Sequence, residues 1–279
     1  MKFTKMHGLG NDYIYVNAFE EKIADPSALA IRISDRHFGV GSDGLVLIAP
    51  SEVADFQMLM FNADGSQGEM CGNASRCVAK YVYDRALTDK TVVTLETLGG
   101  IKVLHMTIKD GKVESVRVDM GAPKLDCENV PCLLGEGVVK KAKITALDRE
   151  FEITPVNTGN PHGVIFLEEP VEEFDIDKYG PVLERHPAFP KKANIEFVNV
   201  LSRERLRMRV WERGSGVTLA CGTGSCAVLV AAHLNGLCER KATVVLDGGE
   251  LNNQWDEETG SVYMTGPATF VFDGEYDAD

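Results

Sequence analysis

A chain of 279 residues, 44% hydrophobic and 25% charged, has the length and composition of one large or two ordinary globular domains, and two domains are expected. Its net charge of −13 argues against nucleic acid or an anionic membrane as a partner, because both are held through clustered Lys and Arg. The longest apolar run, residues 227–232, is too short to span a bilayer, and "MKFTKMHGLGND" lacks the apolar centre of a signal peptide, so a cytoplasmic location is expected.

Along the chain, Gly10-Asn11 precedes an extended apolar run, and "PSALAIRISDRH" (26–37) has helical periodicity. After Cys71, residues Ala74, Cys77, Val78, Tyr81 and Val82 recur at intervals of three and four and predict a helix with one apolar face. The alternating segments 101–108, 113–119 and 206–211 predict strands buried on one side. Between them, Gly159-Asn160 again precedes an extended apolar run. After Cys221, "CAVLVAAHL" is apolar all round and ends at Asn235-Gly236, a helix expected to be wholly buried and wrapped by strands.

These features repeat. Setting Cys71 on Cys221 aligns Gly72 with Gly222, Ser75 with Ser225, Val78 with Val228 and Asn62 with Glu212, and the two Gly-Asn steps lie 60 and 61 residues upstream of their cysteines. The pattern predicts an internal duplication, two similar α/β halves meeting near residues 120–124. Seven cysteines, an odd number with no C-x-x-C pair, predict reduced thiols rather than a disulfide framework, and with only six scattered histidines no metal site is expected.

A thiol at each of two matching helix starts has a chemical meaning. The first helical turn offers unpaired N–H groups and the positive end of the helix dipole, so each cysteine is expected to ionise more readily, in the range of roughly 3.5–7.5 rather than about 8.5. Asn73 and Thr223, next in line, are candidate helix caps. If both loops cradle one carboxylate, the two sulfurs suit stereoinversion: one thiolate removes a proton from a carbon and the opposite thiol returns one to the other face. No electron-sink cofactor is then required, and no lysine stands in a context that announces one.

At these residues the chain resembles the diaminopimelate epimerase family. The blocks that carry the resemblance are "MHGLGNDYIYVN", "HFGVGSDGL", "FNADGSQGEMCGNASRC", "NTGNPHG", "WERGSGVTLACGTGSC" and "YMTGPATFVFDG", which run nearly end to end. The resemblance implies an α/β (α+β) fold of two pseudo-twofold-related lobes, each a barrel-like curled sheet around a central helix, divided as 1–120 with 267–279 and 121–266. It implies cofactor-independent conversion of LL- to meso-diaminopimelate, in lysine and peptidoglycan precursor biosynthesis, by Cys71 and Cys221 as acid and base. His162 and Glu212 are implied as the polar partners of the thiols. Gly72, Asn73, Gly222 and Thr223 would give backbone amides to the reacting carboxylate. Asn11, Asn62, Asn160, Asn194 and Arg213 would hold the distal amino-carboxylate end, with Glu212 near its ammonium. The partner is thus a small amino acid, and a homodimer is one assembly compatible with this reading. Two positions depart from the family pattern, Ala74 in place of Gly and Val217 in place of Glu, and the second removes a carboxylate near the site.

Each residue also has a plainer reading. Cys77, Cys127, Cys132, Cys226 and Cys238 are expected to be packing thiols, and His233 a satisfied core histidine. Asn62 alone would be a turn residue, Glu212 a solvated charge and His162 a structural residue after Pro161. "GTGS" lacks the Lys-Ser/Thr of a phosphate loop. The rivals to the epimerase are a related racemase acting on another amino acid such as histidine, a Cys-His hydrolase built on Cys71 and His162, and a non-catalytic amino-acid-binding module.

Overall fold

The computed structural model describes residues 1–277. The chain divides into two compact units, residues 1–119 together with 265 onward, and residues 120–264. In the first, β1 (Lys2–Gly8) and β2 (Asn11–Asn17) form an antiparallel hairpin, and α1 (Pro26–Ser34) carries the chain across so that β3 (Gly44–Ala49) runs parallel to β2. β4 (Phe56–Asn62) pairs antiparallel with β3, and the short β5 (Gln67–Gly68) folds back on β4. Helix α2 (Gly72–Asp84) then leads to β6 (Val92–Thr97), parallel to β4, and to an antiparallel run through β7 (Gly100–Lys109) and β8 (Lys112–Asp119).

The second unit repeats this plan. β9 (Ala142–Ala146) and β10 (Arg149–Asn157) pair antiparallel, as do β10 and β11 (Pro161–Phe166). Helix α3 (Ile176–Glu184) crosses to β12 (Asn194–Ser202), parallel to β11, and β13 (Arg205–Glu212) and β14 (Gly216–Thr218) follow antiparallel. Helix α4 (Gly222–Leu234) leads to β15 (Lys241–Leu246), parallel to β13, and then to β16 (Gly249–Trp255). β17 (Val262–Gly266) leads out of this unit, and β18 (Thr269–Glu275) pairs antiparallel with β1 to complete the first.

Each sheet is sandwiched between an outer and an inner helix, which makes its central strands apolar on both faces. In the first unit Ile14, Val16, Leu45 and Leu47 pack on Leu29, Ala30 and Ile33 of α1. By the two-residue period of a strand, Val46 points the other way, away from α1. In the second, Ile195 and Phe197 join Tyr179 and Leu183 of α3 in the outer cluster, which leaves Glu196 facing α4. Helix α4 contacts β10, β11, β12 and β13 and also β15 and β16, so the sheet curls around it; α2 likewise touches β1 and β2 at one end of its sheet and β7 and β8 at the other. This is why the α4 sequence has no polar face. It stops where Asn235 caps it and Gly236 takes φ +72.

α1 ends at Ser34, three residues before the apolar periodicity does. The Asp35 carboxylate accepts hydrogen bonds from the N–H groups of His37 and Phe38, both at 2.7 Å, and this local turn outcompetes another helical turn. The packing thiols are buried: Cys77, Cys127, Cys132, Cys226 and Cys238. His233 sits edge-on to Trp255 with Nδ1 against the Cys238 carbonyl oxygen.

Burial pushes the Cys77 and Cys238 thiols up from 9.0 to about 11. The folded chain therefore keeps protons that the unfolded chain releases, so this contribution to stability is complete below pH 9 and is lost as pH rises toward 11. Denaturant unfolding at pH 9 and pH 10 is expected to show a drop of about 1 kcal/mol for each of these two thiols, with a shallower slope in Cys77→Ala.

Candidate active site

Both inner helices begin on a cysteine whose own sulfur is the cap. Cys71 takes an extended conformation (φ −135, ψ 119), and its Sγ accepts from the Ala74 N–H at 3.5 Å. Cys221 (φ −116, ψ 108) does the same for the Gly224 N–H at 3.3 Å. The expectation that Asn73 and Thr223 cap these helices is therefore corrected: both lie inside the first turn, where the Asn73 amide meets Asn11 and the Thr223 hydroxyl lies beside Cys221 Sγ. The glycine after each cysteine, Gly72 or Gly222, opens the helix, and Ala74 fits as a buried helical residue.

In the first unit a chain of amides orients the thiol. The Asn11 amide donates from Nδ2 to Asp43 Oδ2 at 2.7 Å, so Oδ1 faces Cys71 Sγ at 3.4 Å and Asn73 Nδ2 at 3.3 Å. Asn73 is held the right way round by Arg76, whose buried guanidinium donates to Asn73 Oδ1 at 2.9 Å and to the Pro267 carbonyl at 3.0 Å. Gly8 passes so close that an added Cβ would lie 3.0 Å from both Arg76 and Asn73. Burial and the neighbouring charge of Asp12 push the Asp43 carboxyl up, against the bonds from Asn11, the Asp12 N–H and Arg36. Asn62 is not part of this group: it ends β4, and its Nδ2 donates across the following turn to Ser66 Oγ at 3.0 Å.

In the second unit Cys221 is 5% exposed, and its sulfur also lies 3.5 Å from the Thr223 hydroxyl. The carbonyl of Thr223 accepts from Thr158 Oγ1. Burial first, then the charges of Glu212 and Glu196, push the Cys221 thiol well above its usual value, and the bonds from Thr223 and the Gly224 N–H do not offset them. The expected ease of ionisation at this helix start is thus reversed: desolvation and two carboxylates outweigh the helix dipole. The surroundings of Cys221 thus favour the protonated thiol.

Around it, His162 Nδ1 meets Glu196 Oε1 at 2.6 Å and Nε2 meets Asn160 Oδ1 at 2.7 Å, so both ring nitrogens are engaged. His162 and Glu196 are completely buried. Asn194 braces the turn beside them, donating to the Pro161 carbonyl and accepting from the Arg213 N–H. The Thr218 hydroxyl donates to Glu212, while the exposed Arg213 side chain reaches the Lys191 carbonyl at 3.1 Å. Val217 is paired across from Trp211 on β14. Among the described residues no group of three or more His, Cys, Asp or Glu side chains gathers as a metal site, and no helix is long and apolar enough to cross a membrane.

Asp43, Arg76 and Glu196 are absent from the sequence-derived set. Asp43 lies within the quoted block "HFGVGSDGL", but nothing in its spacing marks it as the partner of Asn11. Glu196 leaves one trace, the lone carboxylate of its strand, set between Ile195 and Phe197.

Comparison with known proteins places these features in context. The family model for diaminopimelate epimerase matches residues 3–125 and 154–271. The chain is 59% identical to a diaminopimelate epimerase of Acetivibrio thermocellus over 277 residues, 99% of each chain, and 58% identical to one of Methanococcus maripaludis, covering 99% and 100%. Among solved structures, a phenazine biosynthesis protein of the PhzF family from Bacillus anthracis superimposes with a TM-score of 0.73 at 18% identity, over 99% of this chain and 98% of that one, which bears on the fold.

Asp43→Asn offers an NH2 where Asn11 now meets an oxygen and frees the Asn11 amide to turn. The turnover of this variant is expected to fall about tenfold, equivalent to about 1.4 kcal/mol, in a steady-state assay of stereoinversion. In Gly224→Ala the new Cβ would stand 2.7 Å from Glu196 Oε1 and 3.1 Å from Cys221 Sγ. Although Ala is the better helix former by about 1 kcal/mol, denaturant unfolding is expected to show a net loss of about 1–3 kcal/mol.

Proposed function

Because the chain belongs to the diaminopimelate epimerase family and is an amino-acid epimerase, we propose that it interconverts LL- and meso-2,6-diaminopimelate by two-base proton transfer between Cys71 and Cys221, supplying a precursor of lysine and peptidoglycan. The observation that carries the reading is the pair of thiols at corresponding helix starts in two units of one plan. One sulfur, as thiolate, takes the α-hydrogen: the C–H bond breaks, an S–H bond forms, and the electron pair moves into the adjoining carboxylate. The other sulfur, as thiol, delivers its proton to the opposite face. In the reverse direction they exchange roles.

The energetic demand is definite. An α-proton some ten to fifteen pK units less acidic than a thiol makes the transfer about 14–20 kcal/mol uphill. Turnover at about 1–1000 per second permits a barrier of roughly 13–17 kcal/mol, so the site must supply several kcal/mol. The first-turn amides of α2 and α4 are suited to this, because negative charge grows on the substrate carboxylate as the proton leaves. Asn11, Asn62, Asn160, Asn194, Glu212 and Arg213 would bind the distal amino-carboxylate, Arg213 exchanging its bond to Lys191 for a forked one to the carboxylate. The hydrolase alternative finds no support in His162, whose two ring nitrogens are both engaged within its own unit.

The test is α-hydrogen exchange in deuterated water, followed by NMR, with LL- and meso-diaminopimelate, histidine, lysine and proline offered separately. Deuterium is expected at the α-carbon of diaminopimelate only; exchange confined to another amino acid would assign the chain to a racemase. Cys71→Ala and Cys221→Ala are each expected to lower inversion roughly a hundred- to ten-thousand-fold. Inversion that survives Cys221→Ala would overturn the two-base scheme.

A further inference from the structure

The two units differ at one place inside their common plan. Val46 faces Met60 across β3–β4, and Glu196 faces Val210 across β12–β13; Met60 and Val210 each stand eleven residues before the cysteine of their unit. Glu196 therefore occupies the position that the first unit gives to a fully buried valine. Two neighbours change with it. Tyr13, beside Gly44 on β2–β3, corresponds to His162, beside Asn194 on β11–β12. Ala74, in the first turn of α2, corresponds to Gly224 in the first turn of α4. The exchange is stereochemically coherent, because the missing β-carbon of Gly224 is the space in which Glu196 Oε1 lies.

Burying a carboxylate where an apolar side chain fits is costly unless its bonds are complete. Glu196 is 0% exposed, Oε1 meets His162 Nδ1, and Oε2 is buried with no hydrogen-bond partner. Packing does not account for it, since Val46 shows what packing alone accepts there. We propose that Glu196 is a positioning residue of the reaction: through Oε1 it fixes the ring of His162, and its charge, set in the gap left by Gly224, joins that of Glu212 against the first turn of α4 and favours the proton-bearing form of Cys221.

This rests on Cys221 being one of the two proton carriers. The groups that face its sulfur are Glu196 from β12, with His162 of β11 behind it, Glu212 from β13, and the Thr223 hydroxyl and Gly224 N–H of α4 itself. Negative charge here disfavours the thiolate, so its removal lets the thiol ionise at lower pH.

The experiment is a pH titration of protein carrying 13C-labelled cysteine β-carbons, with the Cys221 signal assigned by its loss in Cys221→Ser. In Glu196→Gln the Cys221 midpoint is expected to fall by at least about one pH unit, equivalent to about a tenfold larger thiolate fraction at a given pH, while the Cys77 and Cys226 signals stay in place. The double variant Glu196→Val with Gly224→Ala rebuilds the Val46 and Ala74 pair of the first unit. It is expected to keep a wild-type Tm, to show the same lowered midpoint and to invert substrate more slowly. A Cys221 midpoint that does not move in a folded variant, with only Tm altered, overturns the proposal and leaves Glu196 a structural residue. This readout needs no substrate, so it stands apart from the Cys221→Ala inversion test of the two-base scheme.

Discussion

A helix that begins inside a curled sheet must satisfy its first N–H groups without bulk water, and the choice of cap there governs much else in this protein. The outer helices take the strong solution. Asp25 and Asp175 accept from the third residue of α1 and α3 through carboxylate oxygens, both at 3.0 Å. The inner helices use sulfur, a weaker acceptor, at 3.5 and 3.3 Å. An oxygen cap is worth about 1 kcal/mol. By forgoing it, α2 and α4 keep at their first turns a titratable atom and amide dipoles that a carboxylate cap would have saturated. Stability is recovered further along, where α4 is apolar on every side and packed against six strands.

The two units show how one plan accommodates different electrostatics. In the first, neutral amides surround the thiol and charge enters at a distance, through Asp43 on Asn11 and Arg76 on Asn73. In the second, carboxylates stand near the sulfur itself, and a glycine supplies the room. The first arrangement fixes direction, because each amide can turn only one way; the second fixes protonation. A duplicated framework thus holds two thiols of one chemical type in unlike surroundings.

Much of this was legible in the residues. Segments 101–108, 113–119 and 206–211 alternate because one face of each strand is buried, and the run after Cys221 lacks a polar face because strands enclose it. The cysteine pair was visible because both members sit at the same step of the repeat. What escaped were properties of the folded surroundings. A helix start predicts an easily ionised thiol only while it is hydrated and unopposed, and no local pattern announces that Glu196 and Glu212 will meet Cys221. Nor does spacing reveal that Asp43 sets the Asn11 amide, or that Asp35 stops α1 three residues early through two bonds to its own following backbone.

The pairing of β1 with β18 has a consequence for synthesis. The opening strand of the chain lies beside residues 269–275, and the Met1 ammonium meets the Tyr276 carbonyl oxygen at 2.9 Å. The lobe made first on the ribosome is therefore the last to be finished, and it must wait, with one edge of its sheet open, while the whole of the second lobe emerges. The carboxy-terminal segment closes an edge that would otherwise invite a neighbouring nascent chain to add its own strand.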